Sequence, residues 1–235
     1  MEEHRSRGDR EMVEPVSAAT VVLLRERSSG FEVLLARRSS KLAFHGGAWV
    51  FPGGRIDPED YASDDSHDLS GAARRAAVRE AYEEANVIVD PESLVHFAQW
   101  TTPDNAPKRF ATWFFVTSVA GGNERADGSE TEALHWFRPV EALEARRVGE
   151  IELAPPQFVT LLALADHRDI AGALDGFATN SISDYSPRFH FLPGGGAICV
   201  YAEDVGYADL DLLDTPGRRH RLVMTETSWE YVQDP

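Results

Sequence analysis

The sequence predicts an α/β chain built as an α/β/α sandwich around a mixed central sheet. Three observations predict it. Runs of apolar, β-branched residues alternate with segments of helical periodicity, and alternating elements bury their apolar faces by layering helices on a sheet. A Pro-Gly-Gly turn ends an early apolar run, and a glutamate-rich helical segment follows it. The 235 residues, 43% of them apolar, suit one large domain or a small domain with an appendage.

Residues 1–14 are hydrophilic and mixed in charge, which predicts a flexible tail and no secretory signal. Val16–Arg25 and Phe31–Arg38 flank Arg27-Ser28-Ser29-Gly30 as a hairpin. Residues 41–48 form a glycine-containing loop, Trp49–Phe51 a short strand, and residues 55–70 an acidic loop. A helix runs from about Leu69 to Ala85, with Val78, Ala81, Tyr82 and Ala85 as its apolar face. Strands follow at Val87–Val89, Leu94–Thr101, Arg109–Val119 and Leu134–Arg138. Pro139–Arg147 and Pro156–His167 are helical, with weaker helical signal as far as Leu174. The last 55 residues or so, 181–235, carry strand-like runs at Arg188–Leu192, Ala197–Tyr201, His220–Thr225 and Ser228–Val232. These are expected to pack on, or extend, the domain formed by residues 15–180.

The chemistry is concentrated in Arg79-Glu80-Ala81-Tyr82-Glu83-Glu84-Ala85-Asn86-Val87. Helix residues turn by about 100° each, so Glu80, Glu83 and Glu84 share one face. An exposed glutamate face is by itself ordinary solvated surface. Clustered carboxylates are also hard oxygen donors suited to Mg²⁺ or Mn²⁺. The upstream Phe51-Pro52-Gly53-Gly54 turn favours the second reading, because glycine lets backbone approach a ligand closely.

These residues resemble the signature of the Nudix hydrolases, G-x5-E-x7-R-E-U-x-E-E-x-G-U, with U a bulky apolar residue. Gly54 matches the first glycine, and Arg79, Glu80, Glu83, Glu84 and Val87 match the core and the final apolar position. Asp60 falls at the place of the first glutamate, beside Glu59. Three positions depart from the pattern. The spacing from Gly54 to Arg79 is eleven residues longer, Ala81 replaces a larger residue, and Asn86 replaces glycine. The surrounding Leu34-Leu35-Ala36-Arg37-Arg38-Ser39 and His45-Gly46-Gly47-Ala48-Trp49 segments resemble the branch with the peroxisomal coenzyme A diphosphatases. Trp100-Thr101-Thr102-Pro103 and Arg109-Phe110-Ala111-Thr112-Trp113 do so too.

The resemblance implies a Nudix-type sandwich and metal-dependent hydrolysis of a nucleoside diphosphate linked to another moiety, with coenzyme A or an acyl-coenzyme A favoured. ADP-ribose, NADH or a nucleotide sugar is the alternative substrate, and a catalytically silent nucleotide-binding module is the alternative of another class. Glu80, Glu83, Glu84 and the Gly54 carbonyl are the implied metal ligands, and Arg79 would orient a glutamate. Glu132 is the first choice of general base and Glu130 the second. Arg37, Arg38, Lys41, His45 and Arg109 are candidate phosphate or substrate contacts, because guanidinium groups bind phosphate in a bidentate way. Trp100, Phe110 and Trp113 are candidates for stacking on a base, and Arg188 and His190 for further substrate contacts. A homodimer is expected from relatives.

The net charge of −16, from 39 acidic and 23 basic residues, argues against a nucleic-acid polymer as partner. No run of about 18 apolar residues exists to span a membrane. The single Cys199 leaves no internal disulfide and fits a reducing, cytoplasmic setting.

Overall fold

A computed structural model describes residues 13–41, 46–62 and 67–234. Its centre is a mixed eight-stranded sheet with the order β3-β2-β1-β6-β5-β8. The strands are β1 (Val16–Arg27), β2 (Gly30–Arg38), β3 (Trp49–Val50), β4 (Gly53–Arg55), β5 (Val95–Thr101), β6 (Phe110–Ser118), β7 (Thr131–Phe137) and β8 (Ser183–Tyr185). β1 and β6 run parallel in the middle, and the β1–β2 hairpin is antiparallel. β4 joins β1, and β7 joins β2.

Alternation along β1 divides the core in two, since successive side chains leave opposite faces of a strand. Ala19, Val21 and Leu23 face α1 (Leu69–Ala85) and pack with Ala73, Ala76, Ala77, Ala81 and Ala85. Val22 and Leu24 face the other way. There they meet α2 (Pro139–Arg147), α3 (Pro155–Ala165) and α4 (Ile170–Thr179) through Ala142, Phe158, Leu161, Leu164 and Ala173.

The C-terminal residues build a four-stranded antiparallel sheet from β9 (Arg188–Phe191), β10 (Ala197–Val200), β11 (His220–Met224) and β12 (Trp229–Gln233). Cys199, Tyr201, Leu222 and Met224 join the same core as β1. Phe158 of α3 meets Trp229 edge-on at 5.2 Å, and Trp100 of β5 stacks on Tyr185 of β8 at 4.0 Å.

Several elements differ from the sequence-based expectations. Val87–Val89 forms no strand: Asn86 enters the left-handed region (φ 56°), and Val87 N–H turns back to the Ala81 carbonyl. This is the αL cap that Asn tolerates. Val87 and Val89 are still buried as core plugs. The apolar face of α1 is its alanine stripe, and Tyr82 is exposed. The acidic loop begins with β4 and a 3₁₀ turn at Pro58–Asp60, and residues 63–66 lie outside the described residues. The helical signal to Leu174 belongs to a separate α4, whose N-cap Asp169 accepts from Gly172 N–H. β8 has no counterpart among the expected strands; its parallel pairing with β5 is a tertiary event.

Candidate active site

The turn and the catalytic helix are joined by close backbone packing. Thr20 Oγ1 donates to the Pro52 carbonyl at 2.7 Å, and Val21 N–H to the same oxygen at 2.9 Å. β4 then lies against β1, with Gly53 opposite Thr20 and Gly54 opposite Ala19. A Cβ on Gly53 would fall 2.5 Å from the Ala19 carbonyl oxygen, and one on Gly54 would fall 2.2 Å from Glu80 Oε1. Gly53 therefore meets backbone that cannot give way, and Gly54 leaves room for the end of the Glu80 side chain.

Arg79 is the hub of the site. Its guanidinium forks onto Asp60, with Nε at 3.1 Å from Oδ1 and Nη2 at 2.9 Å from Oδ2. Nη2 also donates to the Arg55 carbonyl at 2.9 Å, and Nη1 to Glu80 Oε1 at 2.8 Å and Glu83 Oε2 at 3.0 Å. Asp60 is buried, so it and not Glu59 occupies the first acidic position of the signature. Arg79 and Asp60 meet despite the longer spacing from Gly54.

Burial pushes Glu80 upward from the usual carboxylate range, Arg79 draws it down, and the charges of Glu83 and Glu130 add to the rise. Glu84 is 6% exposed, and burial pushes it up to about 7. The Gly53 N–H, 3.0 Å from Glu84 Oε2, works against that rise, and the Glu80 charge works with it. Among the described residues, no three acidic, His or Cys side chains already converge at metal-ligand spacing. Arg79 donates to Glu83 and the Gly53 N–H to Glu84. A buried carboxylate, Glu84, and a half-buried one, Glu80, that repel each other beside a side-chain-free glycine turn fit a hard divalent cation.

These groups line a cleft of about 890 Å³, with Arg38, Arg55, Asp57 and Glu130. The rest of its wall is mostly apolar, with Trp100, Pro103, Phe110, Phe114, Pro155, Pro156, Gln157, Pro187 and Phe189, and carries Lys108 beside Phe110. The parity of β2 and a bulge sort the remaining candidates. Arg38 turns into the cleft and Arg37 does not. The register moves from Arg38↔Thr131 to Arg37↔Ala133, which leaves Glu132 at the bulge. The Glu132 carboxylate accepts from Ser39 Oγ and Ser40 N, both at 3.1 Å, away from the cleft. Glu130 lines the cleft and its charge acts on Glu80 and Glu84, whereas Glu132, the first choice of base, does not line it. Asp127 fixes that loop by accepting from Glu130 N–H at 3.0 Å and Thr131 N–H at 2.7 Å.

Arg109, another candidate contact, does not line the cleft. It is buried, and its guanidinium is committed to Val13 O, Thr102 O and Asp104. Trp113 stacks on His96 at 4.5 Å and packs with the core beneath α1. Trp100 is 5% exposed with a ring face covered by Tyr185, so it offers an edge and not a stacking platform. Arg188 donates to the Tyr207 and Ala208 carbonyls, while its neighbours Pro187 and Phe189 line the cleft. Lys41 and His190 do not line it, and His45 lies outside the described residues. Gln157 and Asp127 were missed. Gln157 reads in sequence as one more residue of a helix's first turn, and Asp127 gives only a weak turn signal before Gly128.

Comparison with known proteins bears on the family and the fold. A putative nudix hydrolase of Caenorhabditis elegans is 26% identical across 65% of this chain, which spans 61% of that protein. An acyl-coenzyme A diphosphatase of Xenopus laevis is 24% identical, covering 85% of this chain and 82% of that one. The crystal structure of a NUDIX hydrolase from Alicyclobacillus acidocaldarius superposes with a TM-score of 0.63 at 23% identity. It covers 72% of this chain and 100% of its own, which shows a shared fold. The sequence model of the NUDIX domain matches residues 14–156, from the start of β1 to the first turn of α3, and the chain belongs to that family.

Proposed function

We propose that the protein is a divalent-metal-dependent diphosphatase that splits an X–diphosphate–Y substrate, with coenzyme A or an acyl-coenzyme A favoured. The observation that carries this reading is that Glu80, Glu84, Glu130 and Arg38 line one cleft with a largely apolar remaining wall. A Mg²⁺ or Mn²⁺ ion held by Glu80, Glu83, Glu84 and the Gly54 carbonyl would neutralise phosphate oxygens and acidify a bound water. Arg38 meets a phosphate oxygen, supported by its buried Nε, which has no protein partner. Arg79, anchored on Asp60, orients Glu80 and Glu83. Glu130 takes the proton of the attacking water. Coenzyme A would yield adenosine 3′,5′-bisphosphate and a 4′-phosphopantetheine species.

The acyl-coenzyme A diphosphatase relative, aligned over most of both chains, supports the substrate. Pro103 lies about sixteen residues past the box, near where ADP-ribose-cleaving Nudix members often carry a proline, and this keeps ADP-ribose as the second reading. Residues 181–235 are proposed to extend the same domain, supported by their share of the core. Among the described residues, no helix is long and apolar enough to cross a membrane. The lone Cys199 supports a reducing, cytoplasmic setting, and a homodimer completes the proposal.

The test is a hydrolysis screen with Mg²⁺ or Mn²⁺ on coenzyme A, acetyl-coenzyme A, ADP-ribose, NADH and nucleotide sugars, run beside Glu83→Gln. Glu83 is exposed, so the substitution spares the core. Turnover should fall by about a hundredfold or more. Wild-type protein that is inert on every substrate with metal present sinks the reading.

A further inference from the structure

The largely apolar wall of the cleft carries two buried polar atoms that bind nothing in the protein. Gln157, 7% exposed, has no partner for Oε1, and Trp100, 5% exposed, has none for its indole N–H. Buried polar atoms without partners are rare and mark a place where another group completes them. One is an acceptor and the other a donor.

The helix start beside Gln157 offers little to an anion. Pro155 and Pro156 fill the first two positions of α3, so the helix start lacks two of its free N–H groups. The wall also carries Phe110, Phe114, Pro103, Pro187 and Phe189, with the Lys108 ammonium 5.2 Å over the Phe110 ring. A secondary amide matches this pair of atoms, since it is uncharged and presents one N–H and one carbonyl. A flat base finds less, because Trp100 already stacks on Tyr185 at 4.0 Å with an interplanar angle of 11°.

The C-terminal sheet extends this wall outward. Phe189 and Phe191 lie two residues apart on β9, on one face of the strand, with rings 6.3 Å apart and nearly parallel. Phe189 lines the cleft, and Phe191 is 72% exposed. An exposed aromatic that continues a cleft wall suits an apolar ligand.

We propose that this wall of the cleft binds an uncharged, amide-bearing arm that ends in an apolar chain. Gln157 Oε1 accepts from the amide N–H, Trp100 Nε1 donates to the amide carbonyl, and Phe189 and Phe191 carry the chain. The inference rests on reading the acidic groups as the diphosphate site, and it assigns the C-terminal sheet a part in substrate selection.

Two experiments test it separately from hydrolysis. In the first, the indole N–H resonance of Trp100, assigned with Trp100→Phe, is followed while pantetheine, its S-octanoyl derivative or adenosine is added. The expected result is a shift with pantetheine, tighter binding of the octanoyl form, and about tenfold weaker binding of both in Gln157→Leu. A shift with adenosine alone, or with none of the three, overturns the proposal. In the second, the ratio of kcat/KM for a long-chain over a short-chain acyl-coenzyme A is measured. Phe191→Ser should lower that ratio about tenfold through KM, while Ile88→Ser, at an 84%-exposed site outside the cleft lining, leaves it unchanged. An unchanged ratio in Phe191→Ser overturns the proposal. Failure of the diphosphate reading would appear instead as no hydrolysis of any substrate, with the pantetheine shift retained.

Discussion

At the scale of single residues, two glutamates two positions apart have different surroundings. Glu130 faces the acidic centre, while Glu132 is capped by Ser39 and Ser40. Glu130→Gln should therefore lower kcat by about 10²–10⁴-fold, the usual weight of a general base, and Glu132→Gln should leave it within a few-fold. Steady-state kinetics on one substrate decide the matter, and equal losses would refute the assignment. Glu84 carries a second prediction. Burial raises it to about 7, and a carboxylate must be ionised to hold a metal. Metal-free protein should bind Mn²⁺ more tightly as pH rises through about 7, with affinity falling roughly tenfold for each unit below it. Titration calorimetry at pH 6 and pH 8 checks the sign; pH-independent affinity would contradict it.

At the scale of elements, the decisive fit is between the glycine turn and α1. The helix approaches the sheet on alanines, and the turn has no side chains where it meets Ala19 and Glu80. The two glycines should fail differently. Gly53→Ala puts a methyl into the β1 backbone, and overpacking of this kind costs about 1–3 kcal/mol of stability. Gly54→Ala collides with the far end of a side chain, which swings away. It should lose metal affinity while unfolding near the wild-type midpoint. Denaturant melts paired with metal titrations separate the two outcomes. The glycine pair and the helix were legible in sequence, because both have local signatures. The bulge that turns Glu132 outward was not, since it arises from the register between strands about 90 residues apart in the chain.

At the scale of the whole molecule, the cleft joins elements from both ends of the chain. Its acidic floor comes from residues 53–84, and part of its apolar wall from residues 187–189. A buried ion pair holds the C-terminal sheet in form. Arg221 forks onto Asp204 at 2.7 and 2.6 Å, and Gly206 and His220 N–H groups donate to the same carboxylate. Burial pushes Asp204 upward, but Arg221 and these N–H groups outweigh it and hold the carboxyl below its usual range. A depressed carboxyl stabilises the fold above the unfolded pKa and loses that stability as pH falls through the folded value. Stability should therefore decline below about pH 3.8, and Asp204→Asn should flatten that limb while costing about 3–5 kcal/mol at neutral pH. Chemical denaturation across pH measures both effects.

The sequence by itself determined the helix with its three glutamates, the Arg79 partner, the Pro-Gly-Gly turn, and the alternation that makes a layered α/β chain. Each is encoded by neighbours within a few residues, where periodicity, capping and glycine geometry act. Only the tertiary structure decided that Asp60 holds Arg79, that Glu130 faces the site, and that Arg109 is a buried brace. It also placed Gln157, Trp100 and Phe189 along one cleft. Those outcomes depend on strand register and on which side chains become buried together, and no local pattern in the chain carries that information.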